Sequence, residues 1–529
     1  MRKGRNEQPG LRSCLVKEKT QRILFACIVI AFFVTRIFRL GRTPAGINID
    51  ELGSAYDAMC IGRHGVDRYL TKMPPYFKNY GGGQSALIIY LGAILLRFSS
   101  FSLFCFRLIP VILGAAALLC AYLLGREVFE RKEFALIAPA LMVVMPEFLM
   151  TERWGLDCNL FLSMSVIVFF FLMKAMRSEG LKWYLLSGLV CGITLYTYVM
   201  SYLVMPVFLL GMLILLIYTG KIRWKQAVSF CIPLMVLAFP LVLEQLVNAG
   251  LIGEIHTPFM DFIPMGYYRG GEFSLGNVVR NIPWIWRILI GDNQSYASCL
   301  YTGTILYISI PFFLMGLVIC LKKTMGDLKE KKAGLPFMLL LFYLSSLLIL
   351  LTVKNMNVSH ANQIFAPILI FTAYGIAYVW DKTNRAAVGI AVLYGLFFLG
   401  FAAWYYGGSY NRQIRESEEN YLFVKTDLGQ AVRQMDEMFA GDKPVVIMAN
   451  EAEDSRLLLA LYNDISPYEY AKNSVRTGNY IIEIPEELDI SGESAYVIAR
   501  NLHHVTDYLG SIGFTVDDMS YPDYSLVYK

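Results

Sequence analysis

The chain has 529 residues, of which 56% are apolar and only 17% are charged, and its mean hydropathy is +0.48. A soluble globular chain carries about 25% charged residues, so the composition excludes an ordinary cytosolic enzyme. The 34 Phe, 33 Tyr and 7 Trp residues also exclude a disordered chain, because such chains contain few aromatic residues. The net charge of +5 is uneven: residues 407–529 hold 10 Lys/Arg against 21 Asp/Glu, which leaves +16 for residues 1–406. We therefore predict a basic membrane domain followed by an acidic, water-soluble domain.

Eleven apolar runs approach the length of about 20 residues that a helix needs to cross the hydrocarbon core. They lie at residues 22–40, 107–124, 134–150, 160–176, 183–199, 201–219, 226–247, 299–320, 334–352, 361–380 and 386–406. The predicted fold class is an α-helical polytopic membrane protein of about 11 spans with a small C-terminal α/β domain. We expect a basic cytoplasmic N-terminus (1–21), a transmembrane domain (22–406) and an extracytoplasmic domain (407–529).

A twelfth apolar run, Gln84–Phe98, decides on which side of the membrane every later loop lies. If this run does not cross, the inner segments hold 23 Lys/Arg in 64 residues and the outer segments hold 12 in 139. That is the positive-inside distribution of membrane proteins, and it would be inverted if the run were a span. We therefore predict an interfacial helix within a long first outer loop, a cytoplasmic N-terminus and a C-terminal domain outside the plasma membrane.

The region after the last span alternates between strand-like and helical patterns, which predicts a small α/β domain. The strand-like runs are Val445–Ala449, Tyr480–Ile484, Ala495–Ala499 and Ser525–Tyr528, and the helical patterns lie near 418–439, 454–462 and 502–511. No Gly-rich phosphate loop and no obvious nucleophile motif occurs in this region of the sequence.

Two acidic motifs stand at the predicted outer ends of spans. Asp50 and Glu51 follow the first span, and Asp157 precedes the fourth. Ionised carboxylates at a membrane boundary are costly unless water, a cation or a substrate proton interacts with them, so one interpretation is a functional site. The alternative is purely structural: Asn48 or Asp50 caps a helix with Glu51 in its first turn, and Asp157 caps the fourth span.

Basic residues of the predicted outer side are candidates for binding an anion. Arg107, at the mouth of the second span, either extends to the membrane surface or faces inward to pair with an acid or a phosphate. Lys78, Arg269 and His360 are weaker candidates of the same charge. The aromatic residues of the two long outer loops fit either a membrane-interface belt or platforms on which a sugar stacks.

Together these motifs resemble the GT-C glycosyltransferases, specifically the bacterial group related to the dolichyl-phosphate-mannose-protein mannosyltransferases (protein O-mannosyltransferases) and to the lipid A aminoarabinose transferase. The resemblance covers residues 22–200. The matching positions are Asp50-Glu51, Phe106-Arg107-Leu108-Ile109-Pro110 with Gly114, Tyr122-Leu123-Leu124-Gly125-Arg126, and Pro146, Arg153 and Asp157.

The resemblance implies an enzyme that moves a hexose or pentose from a polyprenyl-phosphate carrier to an acceptor hydroxyl on the outer membrane face, with inversion. It implies Asp50 as the general base, Glu51 as a residue that orients the acceptor or tunes Asp50, and Asp157 as the second acid of the site. Arg107 matches the basic motif near the departing phosphate, whereas Arg269 is assigned to the phosphate without a motif match. His360 stands where relatives carry an Arg-Tyr pair, which puts its phosphate role in doubt.

The same resemblance indicates which partners and cofactors to expect. The donor is a polyprenyl-phosphate-linked sugar, the acceptor is a protein, a lipid or a cell-wall glycan, and no nucleic acid is involved. No cofactor is certain, and a divalent cation (Mg²⁺ or Mn²⁺) stays open because members of the superfamily differ in metal use. The expected location is the plasma membrane of a bacterium.

Two other classes of function compete with the transferase. Eleven spans are typical of a transporter or a flippase for lipid-linked sugars, but carriers place charges near the membrane midplane, whereas these acids lie at outer helix ends. The third class is a non-catalytic scaffold that binds glycan through the C-terminal domain.

Overall fold

The structure, a computed structural model, describes residues 9–80, 82–178, 180–266, 269–291, 299, 301–354, 356–417, 422–425, 427–439, 441–449, 452–472, 476–477, 479–485 and 487–529. The helices up to residue 248 are α1 (Pro9–Ile37), α2 (Ile49–His64), α3 (Ala86–Leu96), α4 (Leu103–Val128), α5 (Ile137–Val144), α6 (Pro146–Thr151), α7 (Asp157–Arg177), α8 (Leu181–Thr194), α9 (Ser201–Tyr218) and α10 (Trp224–Asn248). Those up to residue 416 are α11 (Val278–Asn281), α12 (Trp284–Ile290), α13 (Ser309–Lys329), α14 (Leu335–Thr352), α15 (Phe365–Lys382), α16 (Ala386–Tyr406) and α17 (Ser409–Glu416). Short strand pairs in the loops involve β1 (Ile47–Asn48), β2 (Tyr76–Asn79), β3 (Gly82–Ser85), β4 (Ile255–His256) and β5 (Asp261–Phe262).

Within the described residues, nine helices are long and apolar enough to cross a membrane. They are α1 from Glu18 onward, α4, α7, α9, α10, α13, α14, α15 with the turn before it, and α16. All nine coincide with predicted runs, so the protein is a multi-pass membrane protein as expected.

Three of the predicted runs differ from the structure. The run 134–150 is broken, because the backbone at Met145 is extended and Pro146, which has no N–H, starts a new helix. The run 183–199 is only the 14-residue helix α8. The run predicted at 299–320 begins at Ser309 instead, since Gly303 and Leu306 before it have positive φ angles of 75° and 61°, which a helix cannot contain.

The run that governs the predicted sidedness forms the 11-residue helix α3. At 1.5 Å per residue such a helix is about 16 Å long, roughly half of the hydrocarbon thickness. This length agrees with the prediction that the run does not cross the membrane. The orientation of the protein in the membrane itself stays a prediction.

The membrane helices approach one another closely at glycines. Gly316 of α13 lies against the carbonyl of Phe371 in α15, and Gly375 of α15 lies against the carbonyl of Phe312 in α13. A Cβ at either glycine would collide with that backbone. Small residues at such crossings are the usual means of helix association in a bilayer.

The C-terminal region is an α/β domain, as the sequence predicts. Its helices are α18 (Asp427–Phe439), α19 (Ala452–Tyr462), α20 (Pro467–Tyr470) and α21 (His503–Ser511), and its strands are β6 (Phe423–Val424), β7 (Val445–Met448), β8 (Arg476–Thr477), β9 (Tyr480–Ile482), β10 (Ala495–Ala499), β11 (Thr515–Asp517) and β12 (Tyr524–Tyr528). Six strands form one sheet in the order β11–β12–β10–β7–β9–β8. The central strands β10, β7 and β9 are parallel, and the outer strands pair antiparallel.

The central strands are apolar on both faces, because helices cover both. In β7, Val445 and Ile447 pack into a hydrophobic cluster with α18 and α19, while Val446 and Met448 pack into another with α21. The cluster on the α19 side continues into α2 and α3 of the first loop. The α/β domain is therefore packed against the loop that follows the first membrane helix.

A second contact joins the same two regions through the backbone. Strand β6 pairs antiparallel with β1, so that Val424 lies opposite Ile47 and Phe423 lies opposite Asn48. The ring of Phe423 also stacks on Trp154, with centroids 5.5 Å apart. The domain thus reaches the segment that immediately precedes Asp50.

Candidate active site

The two adjacent acids of the first loop have opposite surroundings. Asn48 caps helix α2, and its side chain accepts a hydrogen bond from the Asp50 N–H at 2.9 Å. Asp50 is in the first turn and exposed, whereas Glu51 is fully buried. Successive residues of a helix point about 100° apart, so one carboxylate faces the open side of the loop and the other faces the core.

Glu51 forms a buried ion pair with Arg107 of α4. Nε and Nη2 of Arg107 donate to Oε1 and Oε2 of Glu51 at 2.8 and 2.7 Å, and neither side chain is exposed. The Gly155 N–H also donates to Glu51 Oε1, at 3.0 Å. The other N–H groups of Arg107 donate at 2.9–3.2 Å to three carbonyls of the first loop, those of Leu40, Pro44 and Gly46.

Of the roles that the sequence left open for Arg107, the structure shows the inward-facing one with an acid as partner. All five N–H groups of its guanidinium are used within the protein. It therefore has no donor left for a phosphate, and the predicted phosphate contact disagrees with this geometry.

Asp157 starts helix α7 and is partly buried. Its Oδ1 accepts from the Cys158 N–H at 2.7 Å, and its Oδ2 accepts from the Ser85 N–H at 2.9 Å. It is the first residue of the helix rather than its cap, which is Leu156. Asp157 thereby fixes the start of α7 to the end of strand β3.

The β2–β3 hairpin links the exposed Asp50 to the partly buried Asp157. From β2, Asn79 Nδ2 donates to Asp50 Oδ1 at 2.8 Å. From β3, Gln84 Nε2 donates to the Asp50 carbonyl at 3.0 Å, and the neighbouring Ser85 contacts Asp157. The structure therefore brings Asp50, Glu51, Arg107 and Asp157 together in one cluster, with the hairpin between Asp50 and Asp157.

A buried polar group lies under the hairpin. Arg68 donates from Nη2 to Asn79 Oδ1 and from its backbone N–H to Asp57 Oδ1 at 3.0 Å. Burial raises the pKa of the Asp57 carboxyl to about 7, although the positive charge of Arg68 opposes this effect. Tyr80, at the hairpin turn, donates to Asp454 of the α/β domain at 2.5 Å.

The broken helix α5–α6 is held by two arginines. The carbonyls of Met142 and Val143 lack their usual helical donors because of the break at Pro146, and Arg36 donates to them at 2.6 and 3.0 Å. The charge of Arg36 is balanced by Glu152, at 2.8 Å, and neither side chain is exposed.

The second of these arginines, Arg153, donates to the carbonyl of Thr35 at 2.9 Å and to those of Arg36 and Thr43. Its guanidinium lies over the rings of Tyr405 and Tyr406. This network fixes the ends of α1, α6 and α16 to each other next to the site.

Two of the remaining predicted basic residues, Lys78 and His360, lie beside aromatic rings. Lys78 is exposed on strand β2, with Nζ 5.0 Å from the centre of the Tyr69 ring. His360 is partly buried, and its ring stacks near Tyr198 with centroids 6.4 Å apart. The backbone of Arg269 lies in a short 3₁₀ turn, but its side chain is outside the described residues.

The segment around His360 contributes a neutral polar contact instead. Asn362 is buried, and its amide lies 2.8 Å from that of Asn159. The amide atom of Asn362 that faces away from Asn159 lies 3.0 Å from the Glu147 carboxylate. This cluster is close to Asp157, because Asn159 lies two residues after it on α7.

A metal ion has little support at this site. Among the described residues, no group of three or more His, Cys, Asp or Glu side chains is arranged to hold one. The acids here instead bind N–H groups of the protein. We therefore derive no step through a divalent cation.

Sequence reasoning missed Asn79, Gln84, Arg36 and Glu152. The run of three glycines in the sequence at 81–83 is a hairpin signal that could have revealed the hairpin carrying Asn79 and Gln84. Nothing in the sequence indicates that Arg36 reaches residues more than 100 positions away.

Comparison with known proteins finds one similar family and several similar structures. Residues 84–247 match the family described as dolichyl-phosphate-mannose-protein mannosyltransferase. Among curated proteins, none matches the chain significantly. The structure is similar to ArnT from Cupriavidus metallidurans bound to undecaprenyl phosphate, with a TM-score of 0.55, 11% identity, and coverage of 96% of this chain and 97% of that one. Apo ArnT from the same organism gives a TM-score of 0.54 at 11% identity, covering 97% and 98%.

The fold match covers almost the whole chain, and the family match covers the segment from strand β3 to helix α10. The first shows the fold, and the second shows that this segment is similar to a family of mannosyltransferases. The chain has the GT-C fold of a membrane glycosyltransferase, and its residues 84–247 are similar to the dolichyl-phosphate-mannose-protein mannosyltransferases.

Proposed function

We propose that the protein transfers a hexose or pentose from a polyprenyl-phosphate carrier to an acceptor hydroxyl, with Asp50 as the general base. The observation that carries this proposal is the contrast between two neighbouring acids. Glu51 is enclosed with Arg107, whereas Asp50 is exposed and fixed at one oxygen by Asn79. Asp50 is therefore the carboxylate of this pair that can reach a substrate.

The proposed step is a single displacement at the anomeric carbon. Asp50 takes the proton of the acceptor hydroxyl while the oxygen of that hydroxyl bonds to C1 of the sugar. At the same time the bond from C1 to the phosphate oxygen breaks. The electron pair of that bond leaves with the polyprenyl phosphate, and attack from the opposite face inverts the anomeric centre. A positioned base of this kind typically contributes about 10²–10⁴-fold to the rate.

In this proposal, Glu51, Arg107 and Asp157 hold Asp50 in position. The Glu51–Arg107 pair holds the loop carbonyls and the start of α2, and Asp157 holds the hairpin from its other end. Lys78 is the exposed cation of the hairpin, one residue before Asn79. We assign it to the donor phosphate as the first candidate, with Arg269 and His360 as further candidates.

The charge distribution of this chain and its structural similarity to ArnT support the proposed membrane setting. The excess of Lys/Arg on the predicted inner segments supports a cytoplasmic N-terminus, a site on the outer face of a bacterial plasma membrane and an extracytoplasmic α/β domain. The ArnT structure of the same fold contains undecaprenyl phosphate, which supports a polyprenyl carrier. The acceptor is a protein, a lipid or a cell-wall glycan.

The test uses membranes of cells that produce the protein, supplied with undecaprenyl phosphates that carry radiolabelled hexoses or pentoses. The wild-type protein is expected to move label from one of these donors to a membrane acceptor. Asp50→Asn should abolish transfer while the purified protein keeps the melting temperature of the wild type. If no donor in the panel is used, or if Asp50→Asn transfers at the normal rate, the proposal is wrong.

A further inference from the structure

Three polar side chains, Asp57, Arg68 and Asn79, form a chain of contacts that ends at Asp50. Asp57 pairs with Arg68 at 3.6 Å, Arg68 donates to Asn79 Oδ1, and Asn79 Nδ2 donates to Asp50 Oδ1 at 2.8 Å. Arg68 and Asn79 are only 4% and 5% exposed. The chain therefore runs through the protein interior and ends at the exposed carboxylate.

The orientation of the Asn79 amide follows from its neighbours. A guanidinium can only donate and an ionised carboxylate can only accept, so the amide oxygen must face Arg68 and the amide nitrogen must face Asp50. The opposite orientation would place donor against donor and acceptor against acceptor. A charge at one end of such a chain strengthens the next hydrogen bond, and here the positive charge of Arg68 strengthens the donor that faces Asp50.

The packing leaves no room for another position of this amide. Gly53, one helical turn after Asp50, lies against Asn79 and Arg68, and a Cβ there would collide with Asn79 Oδ1. Tyr80, the next residue of the chain, is held by Asp454 of the α/β domain. The amide is thus fixed by α2, by the hairpin and by the α/β domain.

We propose that Asn79 is a positioning residue, which orients the carboxylate of Asp50 toward the acceptor through an amide that Arg68 polarises. This inference rests on the proposed role of Asp50 as the base. Asn79 donates to the ionised form of that carboxylate and so favours the form that accepts the proton. Without this donor, Asp50 should bind its own proton more readily and lose its fixed orientation.

The test compares Asn79→Asp and Asn79→Ala with the wild type in the transfer assay over a range of pH. Asn79→Asp keeps the shape and the acceptor for Arg68 but loses the donor and adds a negative charge. The acidic limb of the kcat/KM profile should move to higher pH by about one to two units, the equivalent of one hydrogen bond to a charged group. Asn79→Ala should move the limb in the same direction.

Two further variants separate positioning from general destabilisation. Gly53→Ala leaves Asn79 in the sequence but displaces its amide, and it should move the acidic limb in the same direction. Asn281→Ala removes another buried amide, which donates to the carbonyls of Leu351 and Val353. It should lower the melting temperature without moving the limb.

The outcomes for the two proposals differ. Unchanged acidic limbs in Asn79→Asp, Asn79→Ala and Gly53→Ala, together with an inactive Asp50→Asn, would overturn the positioning role and leave the base intact. A shifted limb in Asn281→Ala would also overturn it, because the shift would then report loss of stability. Normal transfer by Asp50→Asn would remove the base and the positioning role together.

Discussion

Replacement of Arg107 by methionine should destabilise the protein rather than weaken its affinity for the donor. The side chain fills a site with no exposed surface, where it makes two charged hydrogen bonds to Glu51 at 2.7 and 2.8 Å and three to carbonyls. Removal of one partner of a buried pair leaves the other charge uncompensated, which costs about 3–5 kcal/mol. We expect a loss of that size in the free energy of unfolding.

The assay for this prediction is reversible unfolding of the purified protein in mixed detergent micelles, combined with transfer kinetics. The double variant Glu51→Gln/Arg107→Met completes a cycle in which the coupling energy of the pair is measured. We expect it to lose less free energy than the two single variants together. A stable Arg107→Met protein with a raised KM for the lipid-linked donor would refute this reasoning and would support the phosphate contact that the motif suggests.

Two more predictions concern the contacts around the site. Gly46→Ala should reduce transfer strongly, because residue 46 has a positive φ of 78° and an added Cβ would lie 2.9 Å from the Val424 carbonyl of strand β6. The matched control is Gly65→Ala, since Gly65 has a φ of 74° and open space around it. Equal transfer by the two variants would show that the β1–β6 contact is dispensable. Arg36→Met should lower the free energy of unfolding by about 3–5 kcal/mol, since the variant lacks the donor to Glu152 and to two carbonyls. Arg39→Met, which loses an exposed hydrogen bond to the Tyr406 carbonyl, should change the free energy of unfolding little. Similar losses in both variants would contradict the role of the Arg36–Glu152 pair.

The sequence predicts most of the membrane helices because each is a long apolar run, and length and hydropathy alone determine whether a run can cross a bilayer. It fails where a local backbone feature interrupts such a run. Pro146 divides one predicted span, and the positive φ angles of Gly303 and Leu306 delay the start of another. The continuous apolar runs of β7 and β10 predict the core of the α/β domain, because a strand that is buried on both faces is apolar at successive positions.

The candidate site is predictable only in part. Asp50, Glu51, Arg107 and Asp157 are found because ionised side chains at a membrane boundary are costly unless another group interacts with them. Their division into an exposed acid and a buried pair depends on which face of α2 meets α4, and this contact joins residues 56 positions apart. Asn79 escapes notice in the sequence because it is one polar residue in a polar loop, and its role appears only when the hairpin folds over α2.

The C-terminal domain changes its expected role once its contacts are known. The sequence suggests a separate module that tunes the choice of acceptor or contacts partners, so that deletion of residues 411–529 would spare the chemical residues. In the structure, β6 pairs with the residues just before Asp50, and Asp454 holds the hairpin turn. We therefore expect that deletion to impair transfer itself.

The central claim is that Asp50 removes the acceptor proton, and single-turnover transfer by purified Asp50→Asn measures this step most directly. Donor is loaded on the enzyme before acceptor membranes are added, so that neither donor binding nor product release limits the observed rate. We predict a fall of at least about 10²-fold, with donor affinity and melting temperature like those of the wild type. A single-turnover rate equal to that of the wild type would contradict the account.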